Sequence, residues 1–194
     1  MEPSTLETSK AARIAEAKQR AATIKAQQEE RLASLPINTL YIYLKNRSDP
    51  HIKNYFHWGY YFHVDRTGGM KHHATNESKA WIAEHVRTNA LLKELMLCVI
   101  IEIARVPPEL RAELDRQLGV FDGCMNDVIP GMKKMTCRVW LKEVFKGLVR
   151  AGVVKCGGSV DELEAECLEI GNQFGDEAAA NVQPRPVAKS KLCC

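Results

Sequence analysis

The stretch that most restricts the fold runs from Phe56 to Ala74. Phe56 to Asp65 reads as a strand, Arg66-Thr67-Gly68-Gly69 as a turn whose glycines can take positive φ, and Met70 to Ala74 as the returning strand. Side chains alternate across a strand, so His57, Gly59, Tyr61 and His63 share one face and Trp58, Tyr60, Phe62 and Val64 the other. The aromatic face is the expected core side, which leaves a row of imidazoles on the opposite surface. Register decides what joins them. A loop of Thr67-Gly68-Gly69 pairs His63 with His73 and adds His73 to the histidine face, whereas a loop of Thr67-Gly68 adds His72 instead.

The second strong pattern begins at Met135. Cys137, Trp140, Leu141, Val144, Phe145, Leu148 and Val149 recur at helical spacing, with Arg138, Lys142, Glu143 and Lys146 on the other side. Thr136 is a good N-cap, so Cys137 falls in the first helical turn, where free backbone N–H groups and the helix dipole favour a thiolate. A cysteine on an apolar helical face is also an ordinary core residue. What gives it chemical interest is an imidazole source earlier in the chain.

Around these stretches, Thr39 to Leu44 reads as a strand, Asn76 to Arg87 as a loop and short helix, and Asn89 to Arg105 as an apolar helix ended by Pro107-Pro108. Pro108 to Leu118 opens another helix, Gly119 to Lys134 is a loop, and Ser159 with Glu162 forms a capping box for a last helix. The expected organisation is an N-terminal helical or partly disordered extension over 1–36, one domain over 37–172 and a disordered tail over 173–194. The fold class expected is α+β, a small antiparallel sheet packed on helices.

Among 194 residues the net charge is +3, with no Lys/Arg stripe interleaved with aromatics, so nucleic acid is not an expected partner. The N-terminal stretch lacks an apolar signal core and Leu95 to Ile101 is too short to span a bilayer, which points to a cytoplasmic, reducing setting. Seven cysteines form no CxxC pair and no zinc spacing, so independent thiols are expected, with no metal and no cofactor. Two partner surfaces stay open: Cys193 or Cys194, if lipidated, would give weak membrane association, and the N-terminal arm could meet a protein partner.

His57-Trp58-Gly59-Tyr60-Tyr61, followed after a glycine turn by His73-Ala74, resembles the His-Trp hairpin of lecithin:retinol acyltransferase-like proteins, which have a permuted papain-like fold. Thr136 to Glu143 with Leu148 to Gly152, preceded by an apolar stretch and a double-proline break, is similar to a family of short fungal proteins of unassigned function. The acyltransferases carry Asn-Cys-Glu-His where this chain has Thr136-Cys137-Arg138-Val139. The resemblance implies a thiol-dependent hydrolase or acyltransferase working through a thioester on a small acyl substrate, with Cys137 as nucleophile, His57 as base and His73 as the group that orients it. The alternative is a non-catalytic binding or regulatory module on the same scaffold, with a link to fungal secondary metabolism implied by the resemblance alone.

Overall fold

The computed structural model describes residues 5–77, 80–127 and 134–193. Its element order is α1 (Thr5–Ala33), β1 (Thr39–Asn46), β2 (Phe56–Asp65), β3 (Gly68–Thr75), β4 (Ile82–Thr88), β5 (Leu97–Arg105), α2 (Arg111–Leu118), α3 (Cys137–Arg150), α4 (Val160–Gln173), α5 (Gly175–Ala179) and β6 (Val187–Lys189). The strands form a six-stranded sheet in the order β4-β3-β2-β1-β5-β6. Neighbours from β4 to β5 are antiparallel and β6 lies parallel to β5. The chain is therefore of the α+β class.

The hairpin forms as expected, with its turn one step earlier. Asp65 pairs with Gly68, His63 with Gly69 and Gly59 with His73, so Arg66-Thr67 makes the turn and Asp65 Oδ1 accepts from both Thr67 N and Thr67 Oγ1. His63 does not pair with His73, yet the parity is kept and His73 shares the face of His57. Helix α3 covers the other face. Tyr60 donates its hydroxyl to the Leu141 carbonyl at 2.8 Å and sets its ring edge-on to Trp140, while Trp58, Tyr60 and Phe62 pack with Trp140, Leu141 and Val144 in the larger core.

Two elements differ from the expected ones for a definite reason. Leu97–Arg105 is a strand rather than the end of a helix: β5 lies between β1 and β6 and is buried on both faces, so its apolar residues run on without alternation. Val99, Ile100, Ile101 and Ile103 are β-branched, and Met96, at φ 65°, breaks any helix before it reaches them. Ile82–Thr88 is likewise a strand, at the sheet edge, where half-exposed Glu84 and His85 and exposed Arg87 blunt it.

Both flanks of the domain also depart from expectation. Leu32 and Leu35 are buried with Tyr41, Tyr43, Tyr61, Leu91, Leu92 and Ile100 in a second core on the face away from α3, so the arm ends inside the domain. The segment expected to be disordered is packed: α5 and β6 lie within it, and Arg185 is 1% exposed. The fixing groups are Glu166 and Asn46, which bond to Ser190 Oγ, Lys191 N and the Gly175 carbonyl. Cys193, one of the two cysteines where lipidation stayed open, is buried, and Cys194 lies outside the described residues. Among the described residues no helix is long and apolar enough to cross a membrane.

Candidate functional site

On the sheet face away from α3, residues of consecutive strands meet at one end. Lys45 stands opposite His57, Tyr43 opposite Gly59, Gly59 opposite His73, and His73 opposite Glu84. His57 Nε2 lies 2.8 Å from His73 Nδ1 with the rings perpendicular, and His73 Nε2 lies 3.2 Å from Glu84 Oε2. The carboxylate accepts from His73 Nε2–H, so in the neutral ring His73 Nδ1 is an acceptor and receives His57 Nε2–H. That leaves His57 Nδ1 with its lone pair and with no hydrogen bond to any described residue. Glu84, His73 and His57 thus form a directed chain.

Tyr43 completes the arrangement. A Cβ at Gly59 would lie 2.5 Å from Tyr43 Cε1 and 2.6 Å from its Oη, so only glycine lets the ring cross the strand there. The tyrosine is 1% exposed, and its hydroxyl has no hydrogen-bond partner among the described residues. Such an orphaned donor is costly to bury and marks a place where a ligand atom would be welcome. Its ring centre is 6.2 Å from that of His57 and 6.5 Å from that of His73.

Beside these groups, Glu94 gathers two ammonium groups, Lys45 Nζ at 3.2 Å and Lys71 Nζ at 2.7 Å. Tyr43, Lys45, His57, Lys71, His73 and Glu94 line a cavity of about 380 Å³. Burial holds His57 neutral, lowering its pKa to about 3, with the His73 ring and the charges of Arg47, Lys45 and Lys71 adding to the effect. Burial also lowers His73, and Lys71 does so further, against the opposing pull of Glu84 and Glu94. Burial would raise Glu94, but bonding to Lys71 and Lys45 outweighs it and holds the carboxyl ionised. Burial and the nearby Glu94 charge push the Tyr43 hydroxyl well above its ordinary value, so it remains a donor. A neutral acceptor, a protonated donor and two cations therefore face one small space.

The expected nucleophile packs on the other face of the sheet from His57 and His73. Cys137 opens α3 as expected, with Thr136 Oγ1 accepting from Val139 N at 3.1 Å. Its side chain is 2% exposed within the core that includes Trp58 and Tyr60, whereas His57 and His73 belong to the opposite face. No hydrogen bond joins Cys137 to a histidine among the described residues. The reason is strand parity: a helix that packs on Trp58 and Tyr60 has β2 itself between its thiol and the His57 ring. Of the expected trio, the structure brings together His57 and His73, while Cys137, near enough to Tyr43 to add to the upward shift of its hydroxyl, has no hydrogen bond to either ring.

The other four imidazoles lie apart from this chain, and His51 bonds Asn46 Oδ1 through Nδ1 at 3.0 Å and stacks on Phe56. His72 is on the α3 side, its Nδ1 2.7 Å from His85 Nδ1, and His85 Nε2 is 3.1 Å from Asp122 Oδ1. His63 is buried against the Tyr61 hydroxyl at 3.0 Å. Among the described residues no cluster of three or more His, Cys, Asp or Glu is placed to hold a metal ion. Sequence reasoning did not reach Tyr43, Lys45, Lys71, Glu84 or Glu94. For Tyr43 there was a usable signal, a tyrosine on a strand that could stand opposite the only small residue of the histidine row. Fold and site together define an α+β protein with a buried imidazole pair at an open cavity. Comparison with protein-family models, with curated proteins and with solved structures returned no match.

Proposed function

We propose that this protein is a hydrolase of small acyl compounds in which an imidazole activates water directly. The observation that carries the reading is the chain from Glu84 through His73 to His57, with the unpartnered Tyr43 hydroxyl beside it. In the step proposed, a water O–H proton passes to His57 Nδ1 while the water oxygen bonds to the acyl carbon. Tyr43 Oη–H donates to the carbonyl oxygen as negative charge develops on it. The tetrahedral adduct then collapses, its bond to the leaving group breaks, and the leaving group takes the proton from His57. Glu84 and His73 act by holding His57 in the required tautomer.

The substrate class follows from charge. At a pKa of about 3 the His57 ring is a weak base in the free protein. A carboxylate on the substrate, placed near Lys45 and Lys71, would raise that basicity, and each ammonium still has donors beyond the one given to Glu94. An acyl compound bearing one negative charge fits best.

The permuted papain-like reading with a thioester at Cys137 keeps one supporting observation, the Thr136 cap that puts the thiol in the first turn of α3. Hydrolysis of mono-p-nitrophenyl glutarate, an acyl ester with one carboxylate, separates the two routes, and the non-catalytic alternative with them. His57→Ala should lower turnover about 100-fold while Cys137→Ser leaves it intact. Loss with Cys137→Ser and retention with His57→Ala would instead favour the thiol route, and no turnover above buffer by the wild-type chain would favour a binding module.

A further inference from the structure

Outside the cavity lining, two of the seven cysteines are held face to face. Cys156, in the loop after α3, and Cys193 form an isolated antiparallel bridge, and Gly157 N donates to the Leu192 carbonyl at 2.8 Å. A bond from the residue after one cysteine to the residue before the other marks a non-hydrogen-bonded pair, in which facing Cα atoms approach to about 4.5 Å and side chains come closest. That separation lies inside the range of about 4.4–6.8 Å that a disulfide spans. Burial pushes the Cys193 thiol up, and the neighbouring Cys156 thiol adds to that shift.

The backbone that delivers Cys193 is fixed by several independent contacts. Both oxygens of Glu166 on α4 are engaged, accepting Ser190 Oγ–H and Lys191 N–H at 2.6 Å each. Ser190 Oγ in turn accepts from Leu192 N and Cys193 N at 3.1 Å. Access is unequal: Cys193 is 4% exposed and Cys156 is half-buried, so a dissolved oxidant meets Cys156 first. Cys167, the next thiol inward, is fully buried, and burial holds its proton firmly.

We propose that Cys156 and Cys193 form a reversible disulfide by exchange with a small disulfide such as oxidised glutathione, fastening the β6 segment to the loop after α3. The Cys156 thiol gives up its proton and its sulfur attacks one sulfur of oxidised glutathione, breaking that S–S bond. The first glutathione leaves as a thiolate and takes up the proton. The Cys193 thiol then loses its proton, attacks the Cys156 sulfur of the mixed disulfide and releases the second glutathione, which takes up that proton. Two protein thiols are oxidised, and one oxidised glutathione becomes two reduced molecules.

What the bond restrains is the chain that carries Arg185. That guanidinium is buried and donates to the carbonyls of Val182 and Glu94 and to Asn181 Oδ1. Glu94 is the carboxylate that gathers Lys45 and Lys71, so the fastened segment supports one wall of the histidine cavity. The disulfide itself does not depend on what that cavity does.

The test equilibrates the full chain in oxidised or reduced glutathione, quenches with acid, alkylates under denaturing conditions with iodoacetamide and maps the peptides. Oxidised protein should carry two fewer alkyl groups than the seven of the reduced form, with Cys156 linked to Cys193, and reduced glutathione should reverse it. Cys124→Ser should still form the bond, whereas Cys156→Ser and Cys193→Ser should not. Amide exchange over Val187 to Ser190 should slow at least about tenfold on oxidation of the wild-type chain. A bond to Cys167 or Cys194, a lasting glutathione adduct on Cys156 with Cys193 still alkylated, or seven alkyl groups under every condition would overturn the proposal.

Discussion

Lowering the pH from 7 to 5 should remove stability through two specific imidazoles. Burial holds His57 and His72 near a pKa of about 3 in the folded chain, with neighbouring imidazoles adding to the effect in both. The ordinary value of about 6.5 is regained on unfolding. Between those values the unfolded chain binds a proton at each ring and the folded chain does not, so stability falls as pH drops through 6.5 and goes on falling toward 3. From pH 7 to pH 5 each ring should cost about 2 kcal/mol, and the pair about 4 kcal/mol. Urea unfolding followed by tryptophan fluorescence at both pH values measures the difference. His57→Gln and His72→Gln should each reduce the pH-dependent loss by about 2 kcal/mol, whatever they do to stability at pH 7. Equal stability at pH 5 and pH 7, or an undiminished loss in both variants, would refute the reasoning that these rings are held neutral.

Other perturbations separate packing from chemistry. Gly59→Ala would put a methyl group 2.5 Å from the Tyr43 ring, and displacement of the ring should cost about 1–3 kcal/mol in a denaturant titration and lower ester turnover. Gly171→Ala, which meets Leu44 Cδ1 at 2.6 Å where α4 crosses the sheet, should cost a similar amount of stability while sparing turnover. Tyr43→Phe removes a buried hydroxyl without a partner among the described residues, so the unfolding midpoint should hold or rise; turnover of mono-p-nitrophenyl glutarate should nevertheless fall about 10–100-fold. Glu94→Gln leaves the ammonium groups of Lys45 and Lys71 without their carboxylate and should lower the thermal midpoint.

Local signals carried through where a segment has one buried face. The hairpin alternates aromatics with histidines, α3 repeats at helical spacing behind Thr136, and α4 begins at the Ser159–Glu162 capping box, as the residues themselves indicate. Strand β5 defeated the same reasoning because, buried on both faces, it has no alternation to read, and its β-branched content was the better guide. The last segment looked disordered because it is poor in large apolar groups, yet it is held by Arg185, Ser190 and Glu166, polar contacts that depend on distant partners.

The site shows the same division. That His57 and His73 share a face follows from parity within one hairpin. Residue types suited to one reaction link Cys137 to them, whereas the aromatic face of β2 sets the side on which the apolar helix α3 packs. Tyr43, Lys45, Glu84 and Glu94 come from other strands and loops, and no local spacing records which of them stands beside a given histidine.

The direction of the chain from Glu84 through His73 to His57 decides which nitrogen of His57 can take a proton. Long-range ¹H–¹⁵N correlation spectroscopy of the uniformly labelled protein at pH 7 reads the state of each imidazole nitrogen. Both rings should be neutral with the proton on Nε2, and Glu84→Gln should disturb His73 first. A proton on Nδ1 of His57, or a charged His57 ring, would contradict the account.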